Sequence, residues 1–252
     1  MVLLVGATAP ARGQPEPLPT LRINAPDTLS AVSARVEQFP TTRLATAMTL
    51  AGLRDPGPPI DVYLSPEDSD LARGTPRWIS GFADAGRNLV VLFPARANGY
   101  PSNSLESLLH HEVAHVLFSR AARGHSVPRW FNEGLAMAAE RPIALSDRTR
   151  LAWTLVRHGS PSLAELERLF SDGRAANQRA YAVAGALVRD LLRVHGENGA
   201  ARVLSLVAQG QGFDEAFVGA TGEPLTRALD RFWSRQRLGG RWLRFLTGPA
   251  FL

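Results

Sequence analysis

The chain has 252 residues, 45% hydrophobic and 20% charged, an ordinary balance for a soluble globular protein of one large or two modest domains. It contains no cysteine, which excludes disulfides, thiolate metal sites and cysteine nucleophiles. The formal net charge is +5, yet all 28 basic residues are arginines scattered among 23 acids without a nucleic-acid-binding motif, so no nucleic-acid partner is expected.

In chain order, Met1 to Gly13 is a short apolar run followed by small residues, with Ala9 and Ala11 spaced like a cleavage signal. It resembles the end of a secretory signal peptide, although no basic residue precedes the run. An exported protein, periplasmic or extracellular, is the expectation. Gln14 to Thr20 is proline-rich and reads as a linker. Residues 1–20 are therefore set apart as leader and linker, and 21–246 as the folded unit, β-containing over 21–100 and helical over 101–246.

Within that unit, Leu29, Val32, Val36 and Phe39 recur at helical spacing over Ala25 to Phe39, with Asp27 or Ser30 as caps. Asp55 to Pro59 is a breaker, after which Ile60 to Leu64 alternates as a strand. Trp78 to Ala83 and Asn88 to Phe93 read as two more strands joined by a turn through Asp84 to Arg87. Pro94 to Asn103 is a loop, and Ser104, Glu106 and Ser107 can start the next helix, which runs to a break at Arg123 to Pro128. Arg129 to Glu140 is helical by propensity.

From 142 onward the predicted elements are all helices: Asp147–His158, Ser162–Phe170, Asn177–His195, Gly199–Ala208, Phe213–Val218 and Pro224–Arg237. Gly159, Gly173, Gly196, Gly210 and Gly222 punctuate them. His158 and His195 stand before glycines at helix ends, where capping is their expected role. The fold class is α+β, a small N-terminal sheet followed by an all-helical C-terminal part. Near the end, Arg227, Arg231, Arg235, Arg237, Arg241 and Arg244 accompany Trp233 and Trp242, and an apolar tail closes the chain at 245–252. The tail is shorter than the roughly 20 residues that span a bilayer, but arginine and tryptophan ahead of an apolar run point to membrane-surface association.

The chemistry-bearing stretch is Leu108 to Leu117, which contains His111-Glu112-x-x-His115. Residues four apart share one face of a helix, so His111 and His115 can present two imidazole nitrogens to one metal ion. Glu112 is not a ligand in this scheme; it is placed to take a proton from an activated water. A catalytic zinc takes three protein ligands, and a carboxylate from a second, packed helix would complete a His₂Glu set. Glu133, on the helix after the Gly124 to Pro128 turn, fits. Glu140 and His110 fall outside the motif geometry and are assigned to the surface or to supporting positions.

His-Glu-x-x-His followed by Trp130-Phe131-Asn132-Glu133-Gly134-Leu135-Ala136 resembles the gluzincin metallopeptidases, the thermolysin-like peptidase-MA and M1-like group, most closely over residues 105 to 140. The resemblance implies a thermolysin-like fold, one catalytic Zn2+ held by His111, His115 and Glu133, and hydrolysis of a peptide or protein substrate with Glu112 as general base. It also implies an oxyanion-stabilising tyrosine from a later helix, for which Tyr181 is the candidate. In many gluzincins an edge strand before the motif helix pairs with extended substrate, and Asn88 to Phe93 would play that part. Two features of the group are missing. The G-x-M-E-N strand that anchors a free amine in M1 aminopeptidases is absent, which favours an endopeptidase. The aspartate four residues after the ligand glutamate is Met137 here, so support for the ligand histidine must come from elsewhere. The alternative to an enzyme is a non-catalytic zinc-binding scaffold of the same fold, in which a retained Glu112 would have no use.

Overall fold

A computed structural model describes residues 17–246, with side chains through residue 237. The leader-like segment, the tail beyond 246 and the side chains of Arg241, Trp242 and Arg244 lie outside this range. Four strands form one sheet: β1 (Leu21–Asn24), β2 (Ile60–Leu64), β3 (Gly81–Asp84) and β4 (Leu89–Leu92), in the order β1-β2-β4-β3. β1 runs parallel to β2 and β2 parallel to β4, whereas β3 is antiparallel to β4.

This order corrects one expectation. The strand over Asn88 to Phe93 is not an edge: Val90 pairs with Val62 on one side and Ala83 on the other. The edge nearest the motif helix is β3. The cause is visible in the residues, since Val90, Val91, Leu92 and Phe93 are all buried, the unbroken apolar run of a strand covered on both faces. β3 starts at Gly81, three residues later than the sequence pattern predicts.

The helices are α1 (Ser30–Val36), α2 (Thr42–Ala51), α3 (Asp70–Gly74), α4 (Leu105–Ala121), α5 (Arg129–Glu140), α6 (Leu145–His158), α7 (Leu163–Leu169), α8 (Arg174–Ala208), α9 (Phe213–Thr221) and α10 (Leu225–Leu246). α1 is shorter than the periodicity predicts, because Asp27–Leu29 forms a 3-10 turn. β1, α2 and α3 are additions to the predicted elements. α8 joins two predicted helices across Gly196, whose φ of 71° interrupts the helical backbone. All five punctuating glycines take positive φ, which an L side chain resists.

α4 is the centre of the molecule. The Ser104 Oγ caps it by accepting the Ser107 N–H at 3.1 Å, and nearly every residue from Leu105 to Phe118 is buried. A helix apolar on all sides must be enclosed, and α4 lies against β3 and β4 on one side and α2, α5 and α8 on the others. One hydrophobic core runs from Val62 and Val90 of the sheet through Val113 and Leu117 of α4 to Leu187 of α8 and Phe232 of α10.

α5 approaches α8 closely at two glycines. A Cβ on Gly134 would stand 2.4 Å from Val188 Cγ2 and 2.6 Å from the Ala184 carbonyl oxygen. A Cβ on Gly185 would stand 2.9 Å from Met137 Sδ. The glycine of the Asn132-Glu133-Gly134 motif is thus the point where the α8 backbone passes.

Candidate metal centre and catalytic cleft

His111 and His115 project from successive turns of α4 with ring centroids 4.8 Å apart. From the facing helix α5, Glu133 brings its Oε2 to 3.2 Å from His111 Nε2 and 3.4 Å from His115 Nε2. One donor atom from each of the three lies within 4.8 Å of the others, and His111 and Glu133 are buried. Two imidazole nitrogens and one carboxylate oxygen turned toward a common point can hold a divalent metal and leave it open coordination positions.

The electrostatics follow from burying opposite charges together. Desolvation disfavours a proton on His111, but hydrogen bonds to the Glu133 and Glu140 carboxylates outweigh it and push its pKa up to about 10. Burial pushes the Glu133 carboxyl up, yet His115 and His111 prevail and hold it well below the usual carboxylate range. Glu112 goes the other way, raised by burial against the pull of His111 and His115. Burial, with the Glu133 and Glu112 carboxylates, raises the Tyr181 phenol well above its ordinary value, so it keeps its proton and can donate.

These groups share a cleft of about 700 Å3. His111, Glu112, His115, Glu133 and Tyr181 line it together, and β3 contributes Gly81, Phe82 and Ala83 to its wall. A Cβ on Gly81 would stand 2.9 Å from the Val91 carbonyl oxygen and 3.3 Å from Glu112 Cγ, so a side chain here would push the edge strand off β4 and away from the acid. Tyr181 packs edge-on against Phe170 at 5.5 Å and lies 6.2 Å from the His111 ring. The structure therefore brings all five sequence-predicted site residues to one place.

Over residues 41–237 the sequence matches the family model of the peptidase MA superfamily. The chain belongs to the peptidase MA superfamily. The matched span begins just before α2 and takes in the His111-to-His115 and Glu133 helices as well as Tyr181. No curated protein matches the chain, and no solved structure does.

This peptidase MA chain supplies the missing histidine support in an unexpected register. Glu140 is fully buried, and its Oε2 accepts from His111 Nδ1 at 3.2 Å. It is seven residues beyond Glu133, nearly two full turns, and so returns to almost the same face of α5. At the intervening position, four beyond Glu133, the Met137 sulfur packs toward Gly185 instead. Behind Glu140, Arg141 Nε lies 3.5 Å from Glu140 Oε1, and the same guanidinium grips Asp147 at 2.6 and 2.9 Å. A line of charge thus runs from His111 through Glu140 and Arg141 to the first turn of α6.

Of the two alternatives read from the sequence, surface or supporting position, Glu140 takes the supporting one and neither it nor His110 lies on the surface. His110 is buried too, but it donates from Nε2 to the Pro40 carbonyl at 3.0 Å and ties α4 to the loop before α2, away from the site. His195 does not cap its helix either; its Nε2 meets Glu223 Oε1 at 2.9 Å, and Arg231 holds that same carboxylate. The pattern that could have found Glu140 is its recurrence at i+7 from the ligand, with an arginine directly after it.

Proposed function

We propose that this protein is a zinc-dependent endopeptidase in which His111, His115 and Glu133 hold the ion. The His₂Glu donor set is a standard catalytic zinc set. When bound, such an ion polarises a carbonyl and acidifies water. Glu112 takes the proton from the attacking water and returns it to the leaving amine; its raised pKa suits a carboxylate that must accept and then donate. Tyr181, kept protonated, donates to the oxyanion of the tetrahedral intermediate. Glu140 holds the His111 ring with its other nitrogen toward the ion. Extended substrate pairs along the free edge of β3, in place of Asn88 to Phe93.

The observation that carries this reading is the convergence of the three donors in a cleft with Glu112 beside them, outside the donor set. Cleavage within chains is favoured over aminopeptidase action by the same cleft. Among the described residues lining it, the only carboxylates are Glu112 and Glu133, which leaves none to fix a substrate's free amine. Export is proposed on the leader-like start of the sequence alone. Among the described residues, no helix is long and apolar enough to cross a membrane.

The test is Glu112→Gln against wild type on a peptide library that includes N-acetylated members. The variant should retain one zinc per chain and lose turnover by about 10²-fold or more. Wild type should cut acetylated peptides as well as free ones. A zinc-loaded wild type that cleaves nothing would leave the scaffold reading in its place.

A further inference from the structure

We propose that α6 is a membrane-docking element whose outer face rests on an anionic lipid surface. The three most exposed large hydrophobic side chains among the described residues are Val156 at 78%, Leu145 at 77% and Trp153 at 65%, and all belong to this one helix. At 3.6 residues per turn they fall, with Thr149 and Ala152, on a single outward arc of about 100°. The opposite face carries Leu151, Thr154 and Asp147, which are buried against the body of the protein. An apolar stripe this open on a packed helix has a partner.

Charge identifies the partner. Arg148 flanks the stripe on one side and Arg157 on the other, while Arg150, further round, is turned onto Tyr100 and Gln178. The only acid on α6 is Asp147, buried and held by Arg141. A stripe bordered on both sides by arginine, with tryptophan in it, suits a helix lying in the headgroup region, its apolar side chains inserted and its cations among lipid phosphates. A second copy fits poorly, because two such helices face to face would oppose arginine to arginine with no acid between them.

The docking face is joined to the cleft. The Arg150 guanidinium stacks over the Tyr100 ring at 4.4 Å, and Tyr100 lines the cleft wall. Docking through α6 therefore holds that wall near the lipid surface. In the C-terminal basic segment, Arg231 and Arg235 are engaged by Glu223 and Asp190. The proposal does not depend on the catalytic reading.

The experiment is flotation of the full chain with vesicles of phosphatidylcholine alone and of phosphatidylcholine mixed with phosphatidylglycerol. Wild type should float with the anionic vesicles and be released by salt. Trp153→Ser combined with Val156→Ser should weaken binding by about 10-fold or more. Arg148→Gln combined with Arg157→Gln should weaken it by roughly 5-fold per arginine and flatten the salt dependence. Both doubles should keep the wild-type circular dichroism and metal content, since these side chains face outward. Absence of wild-type binding to the anionic vesicles would overturn the proposal. Equal binding by wild type and both doubles would move the contact elsewhere on the chain and overturn it too. So would a dimer in solution that Trp153→Ser dissociates, because the face would then belong to a second copy.

Discussion

At the scale of single residues, the site divides into groups that act and one that orients. His111, Glu112, His115 and Glu133 were legible in the sequence because they rest on short, rigid rules: four residues on a helix return to the same face, and Asn132-Glu133-Gly134 marks a second helix against the first; Tyr181 came only from the family resemblance. Glu140 was legible only as a surface or supporting residue, because which turn of α5 supports His111 depends on what occupies the intervening position. Here Met137 faces Gly185, and the longer glutamate reaches from one turn further along. Its role predicts a separable defect. Glu140→Gln removes the charge beside His111 Nδ1 and should weaken zinc binding by about 10- to 100-fold in competition with a chromogenic chelator. The circular dichroism should stay at wild type. Unchanged affinity would reduce Glu140 to a packing residue.

At the scale of elements, the predicted helices from 104 to 222 recur in the structure with shifts of a few residues, several of them ending at glycines, whereas α10 runs nine residues past its predicted end at Arg237, through Gly239 and Gly240. The sheet was harder. β1 is four residues long with only partial burial, too short to show alternation, and the neighbours of β4 depend on a crossover that no local pattern records. The α5–α8 contact was unreadable for the same reason, although its glycine was in view. Gly134→Ala places a methyl into Val188 and the Ala184 carbonyl, and backbone cannot yield as a side-chain tip can. Unfolding in urea should show a loss of about 1–3 kcal/mol or more, with weaker metal binding as Glu133 shifts with its helix.

The α5–α6 junction predicts a pH effect. Burial opposes charge on Asp147, but the Arg141 bonds and the Ala144 N–H outweigh it and hold the carboxyl below its ordinary value. A depressed carboxyl stabilises the fold fully above its unfolded pKa and loses that contribution as pH falls through the folded one. Asp147→Asn should therefore lower the urea midpoint at neutral pH, and the gap to wild type should shrink as the pH drops below about 4. A gap that stays constant into acid would mean that the charge on Asp147 contributes nothing.

At the scale of the whole molecule, the fold bears on what a metal bound at the proposed site would contribute to folding. α2 comes from the part of the sequence read as β-containing, yet it packs on α4, α5 and α8, and one core runs from the sheet to α10. No segment's own periodicity announces its partners, so this unity emerges only in three dimensions. A core of that extent does not depend on the ion. The donor atoms also satisfy one another without it, since Glu133 accepts from His111, and His111 in turn meets Glu140. The protein should therefore stay folded when zinc is removed, unlike small domains that a metal nucleates. Zinc binding only to the folded state adds stability by mass action, about 2.7 kcal/mol at 100 times Kd. For a chain of this length that corresponds to a rise in Tm of roughly 5–10 °C. Calorimetry in excess chelator should show one cooperative transition, lowered by that amount and restored by zinc. Loss of the transition on chelation would instead make the ion part of the core, and the His₂Glu cluster a structural site.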